Sequence, residues 1–407
     1  MQVRLIEGNH VLDELGTPLD ELHAATATPV TAQRPWLEAW VRCYRDHNPI
    51  AVVVEGANGR LEGAALLARR RRLGVTEVVA MGDGPSDQIR LPARNRAAAE
   101  ELSCGMVDVL QELPGWWRLV LRHLPADDVV ANVLAAQLRC AQLVAGDASP
   151  TTRFGVDRSL RTYVSRNHHQ QVRRMHNRIR RVGLTLDVVH LRDAPEIAAV
   201  LPEVEDVCRR RDAELHRPSP LDDKRAGPFF RQVIMEHAER GKAELTILRM
   251  GGELAAYVLC FLDGHAYRMW SCRGAPAWAQ YGVGRLANNA ALAHALSNEG
   301  YTEFDWMRGD EDYKLSMANH VERAQDLLAW SSPAVRAVTD APRRLVVVLE
   351  GAAARYEGVE RVVLAIKRRR ATAVTIRRRT SVLSWGVTLP WTARSSPPVQ
   401  RSSSCDR

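Results

Sequence analysis

The sequence lacks several features that would place it in a special class of protein. No apolar run reaches the roughly 18 residues that a membrane-spanning helix needs. The N-terminus has no basic segment followed by an apolar one, as a secretory signal would have. The seven cysteines include no CxxC pair, so neither a zinc site nor a disulfide framework is indicated. Since hydrophobic residues make up 46% of the chain, we expect a folded protein, and the missing spanning run and signal segment lead us to expect a cytoplasmic one.

The positive charge belongs to the C-terminal end of the chain. Residues 331–407 carry 15 Lys and Arg against 5 Asp and Glu, a net charge of +10, so residues 1–330 carry −2 of the total of +8. The tail contains KRRR at 367–370, RRR at 377–379 and the pattern of an amphipathic helix over 343–367. These features would suit an anionic membrane surface at the inner face of the membrane. A solubilising, unstructured end is equally compatible with them.

The length of 407 residues predicts two cores and a tail rather than one domain. Each half has an early helix, strands joined by hairpin turns, a further helix and a strand. The hairpin signals are Asn58-Gly59 in the first half, and Gly251-Gly252 and Asp263-Gly264 in the second. We therefore predict an α+β fold with a mixed sheet, made of two similar units at 1–155 and 156–332, with a basic tail at 333–407.

A glycine turn between a strand and a helix is the clearest local signal for a binding site. The residues Tyr281-Gly282-Val283-Gly284-Arg285 open a helix that continues through LANNAALAHAL. Backbone N–H groups and the helix dipole at such a turn favour an anion, and the spacing suits a pyrophosphate. Glycine turns also precede many helices for steric reasons alone.

A strongly basic helix is predicted just before this region. Residues 161–181 contain seven arginines, three histidines and no acidic residue. Such a helix would bind a phosphate-bearing substrate or RNA, with Arg173 and Arg174 as the candidate contacts. The alternative is a solvated face that packs on acidic neighbours, namely Glu203, Glu205 and Asp206. The histidines have no partners at metal-ligand spacing, so no metal site is predicted.

Five segments, in order, resemble a known family: the GNAT-type acetyltransferase domain of CelD-like proteins, which is distantly related to the FemABX transferases. The resemblance covers residues 30 to 330. The matching segments are PWLEAWVRCY, SRNHHQQVRRMHNRIRR, GELAAYVLCFLDGHAYRMWSC, YGVGRLANNAAL and YTEFDWMRGDEDYK. The last segment is the most specific, because it combines a carboxylate, a Gly-Asp turn and a Tyr-Lys pair at fixed offsets. At the phosphate turn this chain departs from the family's usual pattern: Ala279 stands at the first position, and Gln280 follows it.

The resemblance implies a direct transfer of an acyl group from acyl-CoA to an amine or hydroxyl, without a covalent enzyme intermediate and without a metal. A backbone N–H in the strand 266–271 would polarise the thioester carbonyl. The residues implied in CoA binding are Tyr281, Gly282, Val283, Gly284, Arg285 and Leu286. No acceptor is identified; a sugar, lipid or amino-acid precursor of the envelope or of a polysaccharide would fit the family.

The resemblance also suggests catalytic residues in the segment YTEFDWMRGDEDYK. Asp305, at the end of a strand that should face the cofactor helix, is the first candidate for the general base, with Glu303 and Asp310 behind it; Asp310 is also a candidate for binding the acceptor. Tyr313 is a candidate acid for the leaving thiolate or a core residue. Lys314 would neutralise a phosphate or orient the acyl carbonyl.

Two other functions remain open at this point. One is aminoacyl-tRNA-dependent transfer of the FemABX type, in which the basic helix would meet tRNA. No heptad pattern for the coiled-coil insertion common in those enzymes is present, so we expect a small-molecule acceptor and no nucleic acid. The other is a non-catalytic scaffold that meets a membrane through its tail. The sequence does not fix the oligomeric state.

Overall fold

The computed structural model describes residues 1–340, and the predicted tail helix and basic clusters lie outside the described residues. The described residues form a mixed α/β fold around one twelve-stranded sheet. Its strands are β1 (Gln2–Glu7), β2 (Asn48–Glu55), β3 (Leu61–Arg72), β4 (Val75–Ala80), β5 (Trp116–Leu124), β6 (Ala141–Arg153), β7 (Leu186–Leu191), β8 (Ala243–Met250), β9 (Glu253–Asp263), β10 (Ala266–Gly274), β11 (Glu303–Asp305) and β12 (His320–Trp330).

The helices cover both faces of this sheet, as a sheet that is apolar on both sides requires. They are α1 (Val11–Ala25), α2 (Arg34–Cys43), α3 (Arg96–Glu112), α4 (Val129–Gln137), α5 (Leu160–Tyr163), α6 (Arg166–Arg181), α7 (Ala194–Glu214), α8 (Ala226–Glu239), α9 (Val283–Ser297) and α10 (Asp312–Leu315). No helix of the described residues is long and apolar enough to cross a membrane.

The two halves of the chain exchange strands at the centre of the sheet. The strand order is β1-β2-β3-β4-β5-β12-β6-β11-β10-β9-β8-β7, so the last described strand pairs with β5 of the first half. Strand β6 crosses in the other direction and pairs with β11 of the second half. The strands β6 and β12 also pair with each other over most of their length. The exchange joins the two halves into one continuous sheet through backbone hydrogen bonds. The boundary at 155 and 156 stays a prediction.

Local signals fix the ends of the helices that matter for the site. The side chain of Ser165 accepts from the backbone N–H of His168 at 3.1 Å and so begins α6. Helix α9 begins after Gly282, whose φ of 70° is in the left-handed region. The predicted hairpin turns at Gly251-Gly252 and Asp263-Gly264 connect β8 to β9 and β9 to β10.

Helix α9 and helix α6 cover one face of the second half, where they pack on Tyr267, Met269 and Phe304. Helices α7 and α8 cover the other face, which includes Tyr257 and Trp270. Because side chains alternate along a strand, consecutive residues of β10 and β11 face opposite helical layers.

A buried histidine in α1 makes folding sensitive to acid. His23 is 4% exposed, and neither ring nitrogen has a hydrogen-bond partner among the described residues. Burial lowers the pKa of His23 to about 4; the charge of Asp20 opposes this effect and the charge of Arg34 adds to it. The unfolded chain therefore takes up a proton near pH 6.5 while the folded chain does not, so stability falls as the pH decreases from 6.5 towards 4.

We expect a His23→Met variant to lose this part of the pH dependence. Between pH 7 and pH 5 the wild-type protein should lose about 2 kcal/mol more free energy of unfolding than the variant. Urea unfolding at the two pH values measures the difference. The exposed His10→Met variant is the control and should follow the wild type. An equal loss of free energy of unfolding between pH 7 and pH 5 in His23→Met and the wild type would mean that His23 is hydrated in solution.

Candidate functional site

The candidate site is a cavity of about 400 Å³ at the point where β10 separates from β11. The two strands run parallel and pair only from Ala266 with Glu303 to Arg268 with Asp305. Beyond that point β10 continues alone to Gly274, and a bulge between Met269 and Ser271 interrupts its pairing with β9. A bulge leaves an extra residue outside the regular ladder. The diverging strands therefore open a cleft with backbone N–H groups at its edge.

The glycine turn predicted from the sequence forms one wall of this cavity. The φ of 70° at Gly282 is in the left-handed region and favours glycine; a Cβ atom there would also lie 2.6 Å from the terminal methyl of the flexible Met175 side chain in α6. A Cβ atom on Gly284 would meet nothing within 4 Å. Arg178 of α6 donates a hydrogen bond to the carbonyl of Gln280 at 2.6 Å and holds the turn from outside. The fold thus leaves the space beside Gly284 open at the helix N-terminus.

The six residues predicted to bind a cofactor have different positions in this turn. Gly284 and Arg285 line the cavity. Val283 and Leu286 are buried in the core beneath α9, and Tyr281 packs against that core. The N–H groups of Arg285 and Leu286 donate to the carbonyl of Gly282, whereas those of Val283 and Gly284 come first in α9 and can bind an anion.

Positive side chains dominate the lining of the cavity. They are Arg211, Arg217, Arg273, Arg285, Arg308 and Lys314, against the carboxylates of Asp87 and Glu311. Most of the cations have a carboxylate partner, for example Arg308 with Asp87 at 3.3 Å. Within residues 1–340, Arg285 at the start of α9 makes no ion pair. The cavity therefore has its uncompensated positive charge at the helix N-terminus, where the dipole adds to it.

Tyr313 and Lys314 reach the same cavity from the short helix α10. The hydroxyl of Tyr313 lies 3.6 Å from the sulfur of Cys272 on β10. Burial raises the pKa of Tyr313, so its hydroxyl keeps its proton at neutral pH. The ammonium of Lys314 is 3.1 Å from Glu311 and donates to the carbonyl of Arg308. The structure thus brings both residues together with Gly284 and Arg285.

Asp305 does not face this cavity. Its neighbour Phe304 packs in the core under α9, so Asp305 points to the opposite face of the sheet. There its carboxylate accepts from Arg268 at 2.6 Å and from Gln88 at 2.9 Å. It lines a second cavity of about 430 Å³ on that side. Asp305 is a buried, paired carboxylate that joins the two halves of the chain.

The three residues predicted to contact the substrate are all on the surface. Asp310 is exposed in the loop before α10, outside the cavity lining. Arg173 and Arg174 are exposed on α6. Their roles stay predictions, and the structure places none of them among the residues that line the cavity.

A carboxylate that sequence reasoning missed, Asp87, enters the cavity from the first half of the chain. It is 7% exposed, and burial raises its pKa, an effect that Arg308 and Lys314 oppose. The loop GDGPSD that carries it has no helix or strand pattern, and its position depends on packing. The signal that could have identified it is an acidic residue at the end of a glycine-rich loop beside a buried tryptophan helix.

Two hydrogen bonds at the Ser86 hydroxyl help to hold the Asp87 loop in place. The indole N–H of Trp36 in α2 donates to the hydroxyl of Ser86 at 2.9 Å. That hydroxyl donates to the carbonyl of Thr31 at 2.7 Å. Trp36 is fully buried among Phe229 of α8 and Trp270 of β10, so an aromatic cluster between the two halves fixes the loop.

Helix α6 carries a free cationic surface next to the cavity. The side chain of His168 on α6 lines the cavity. The seven arginines of residues 161–181 are exposed. Among the residues that the structure describes, none of these arginines makes an ion pair. The acidic neighbours considered above pair elsewhere: Glu203 with Arg249 and Asp206 with Arg210. The face is therefore available to an anionic ligand.

One group of described side chains has the composition of a metal site. His190, Glu244 and His294 bring their ligand atoms within 4.8 Å of one another. The two imidazole rings are stacked, 3.8 Å apart and 11° from parallel, so their lone pairs do not converge on one point. Glu244 already accepts hydrogen bonds from Arg192 and Tyr267. The geometry is that of a polar link between β7, β8 and α9.

Comparison with known proteins agrees with this geometry. Residues 166–315, which are less than half of the chain, match the family model of the acetyltransferase (GNAT) domain. No curated protein matches the chain in sequence.

Solved structures share the fold of the whole described chain. FemX has a TM-score of 0.54 and 11% sequence identity, with coverage of 80% of this chain and 97% of FemX. A C-terminal domain assigned to a lysylphosphatidylglycerol synthetase of Agrobacterium fabrum has a TM-score of 0.52 and 12% identity, with coverage of 82% and 96%. At these identities the likeness concerns the fold. The described residues thus share their fold with FemX and with this synthetase domain.

Proposed function

We propose that the protein transfers an acyl group from acyl-CoA to the amine or hydroxyl of a small acceptor in the cavity between its two halves. The observation that carries the proposal is the open, uncompensated positive end of α9 at Gly284 and Arg285. The donor's pyrophosphate would occupy that end, and its thioester would lie beside the bulge of β10. The GNAT-type domain supports acyl transfer, and the acceptor stays unidentified.

The proposed reaction is a direct displacement at the thioester carbonyl. The acceptor's nitrogen or oxygen forms the new bond to the carbonyl carbon, and its proton passes to the carboxylate of Asp87. The carbon–sulfur bond then breaks, and Tyr313 protonates the leaving thiolate. Lys314 lies close enough to the cavity to stabilise the developing oxyanion or a phosphate. Asp87 takes the role of base in this proposal, because Asp305 lies on the other face of the sheet.

A Gly284→Glu variant tests the donor site. The new side chain would fill the open space and bring negative charge to the end of α9, so we expect micromolar binding of acetyl-CoA to be lost. Calorimetry measures the affinity. The matched control is Ala293→Glu on the opposite side of α9, which should bind like the wild type. Binding by neither the wild type nor the control would exclude the acyl-CoA proposal.

A chemical readout of the same site uses two cysteines. Cys272 lines the cavity, whereas Cys104 is exposed on α3. A bound donor should slow alkylation of Cys272 by iodoacetamide and leave the rate at Cys104 unchanged, as followed by mass spectrometry. Equal rates at Cys272 with and without acetyl-CoA would place any bound acetyl-CoA outside the cavity.

A second candidate function is transfer from aminoacyl-tRNA, and the free cationic face of α6 favours it. Unpaired arginines beside a donor cavity suit a phosphate backbone. We expect the variant R173Q/R174Q/R180Q/R181Q to lower the salt dependence of tRNA binding, with a slope smaller by about 3. The control removes four exposed arginines of the first half: Arg45, Arg60, Arg71 and Arg96. Identical slopes for the two variants would mean that tRNA binding, if any, is nonspecific.

A further inference from the structure

A buried asparagine on α9 has a side-chain oxygen without a hydrogen-bond partner among the described residues. Asn288 is 6% exposed, and its side-chain oxygen has no hydrogen-bond partner among the described protein atoms. A buried amide oxygen without a hydrogen-bond partner lowers the stability of the fold, so an unpaired group of this kind calls for an explanation, such as a role in ligand binding. Its neighbour Asn289 shows the contrast, because the oxygen of Asn289 contacts the ring nitrogen of His168 at 3.1 Å.

The position of Asn288 connects it to the donor site. It lies four residues after Gly284, on the same side of α9 and about 6 Å further along the helix axis. Both residues line the cavity, together with Cys272 and Tyr313. A donor that places its phosphates at the start of α9 and its reacting carbonyl near β10 must extend a connecting arm through this cavity.

We propose that the side-chain oxygen of Asn288 accepts a hydrogen bond from an amide N–H in the arm that joins the donor's phosphates to its acyl group. The inference rests on the proposed function and adds a specificity residue to it. The pantetheine arm of CoA carries such amides, whereas adenosine 3′,5′-bisphosphate has the nucleotide with one phosphate of the pyrophosphate and lacks the arm. Asn288 therefore discriminates between donors by the arm that they carry, and it contributes nothing to the affinity for the nucleotide part.

An Asn288→Leu variant tests the proposal by comparing these two ligands. Leucine has the same branched shape as asparagine and removes the acceptor. Calorimetry should show about a tenfold loss of affinity for acetyl-CoA, and a change of less than about twofold for adenosine 3′,5′-bisphosphate. The melting temperature should stay equal or rise, because a buried polar group without a partner in the fold has been removed. Asn289→Leu, which loses an existing contact, should melt at a lower temperature.

The outcomes separate the inference from the proposed function. If the wild type binds neither ligand, the acyl-CoA proposal fails and the inference fails with it. If the wild type binds both, but Asn288→Leu weakens both equally or neither, the inference alone fails. A lower melting temperature for Asn288→Leu than for Asn289→Leu would also overturn it, because Asn288 would then hold the fold together.

Discussion

Replacement of Asp87 by asparagine should reduce the turnover number by about 10²–10⁴-fold while leaving the affinity for acetyl-CoA unchanged. The carboxylate lies in the cavity wall, and burial raises its pKa towards the range in which a base works near neutral pH. An amide of the same shape keeps the packing, loses the ion pair with Arg308 and cannot take up the acceptor's proton. The measurement is the release of the CoA thiol with an acceptor identified from a panel of amines and amino sugars.

The pH profile separates a base from a merely structural carboxylate. In the wild type, kcat/KM should fall as the pH decreases through the raised pKa of Asp87, and this acidic limb should be absent in the variant. The control is Asp83→Asn in the same loop, whose carboxylate pairs with Arg122 at 3.0 Å. It should lose stability and keep its acidic limb. Full activity of Asp87→Asn would overturn the role of Asp87 as the base.

The parts of the site that could be predicted from sequence are those with local causes. The turn around Gly282 and Gly284 was predictable because its causes lie within a few positions of the sequence. Gly282 adopts a left-handed backbone conformation that favours glycine, and Gly284 leaves space open at the start of the helix. Tyr313 and Lys314 were predictable through a motif whose offsets are short. Their presence in the cavity follows from the few residues that separate β11 from α10.

Other parts depend on contacts between distant segments. Asp87 reaches the cavity because Trp36 and Ser86 hold its loop against β10, and no local pattern contains that information. The direction of Asp305 followed from strand alternation, but the face that α9 covers is set by packing. The strand exchange of β6 and β12 was likewise beyond sequence reasoning, because each strand alone would suit either half.

Replacement of Trp36 by alanine should cost about 3–5 kcal/mol of the free energy of unfolding. The indole is fully buried, and its ring lies 5.2 Å from Phe229 and 5.1 Å from Trp270. The change leaves a large cavity between α2 and α8 and removes the donor to Ser86. Urea unfolding measures the loss, for which the exposed Trp116→Ala is the control with an expected cost below about 1 kcal/mol.

A Trp36→Phe variant separates stability from positioning. Phenylalanine keeps most of the aromatic contact but cannot donate to Ser86, so the loop that carries Asp87 loses one of its hydrogen bonds. We expect a small loss of stability with a lower kcat, an unchanged KM for the donor and a shifted acidic limb. If Trp36→Phe loses stability without any change in the pH profile, the tryptophan acts on the core alone. In that case the ion pair with Arg308, at 3.3 Å, holds the carboxylate of Asp87 in place.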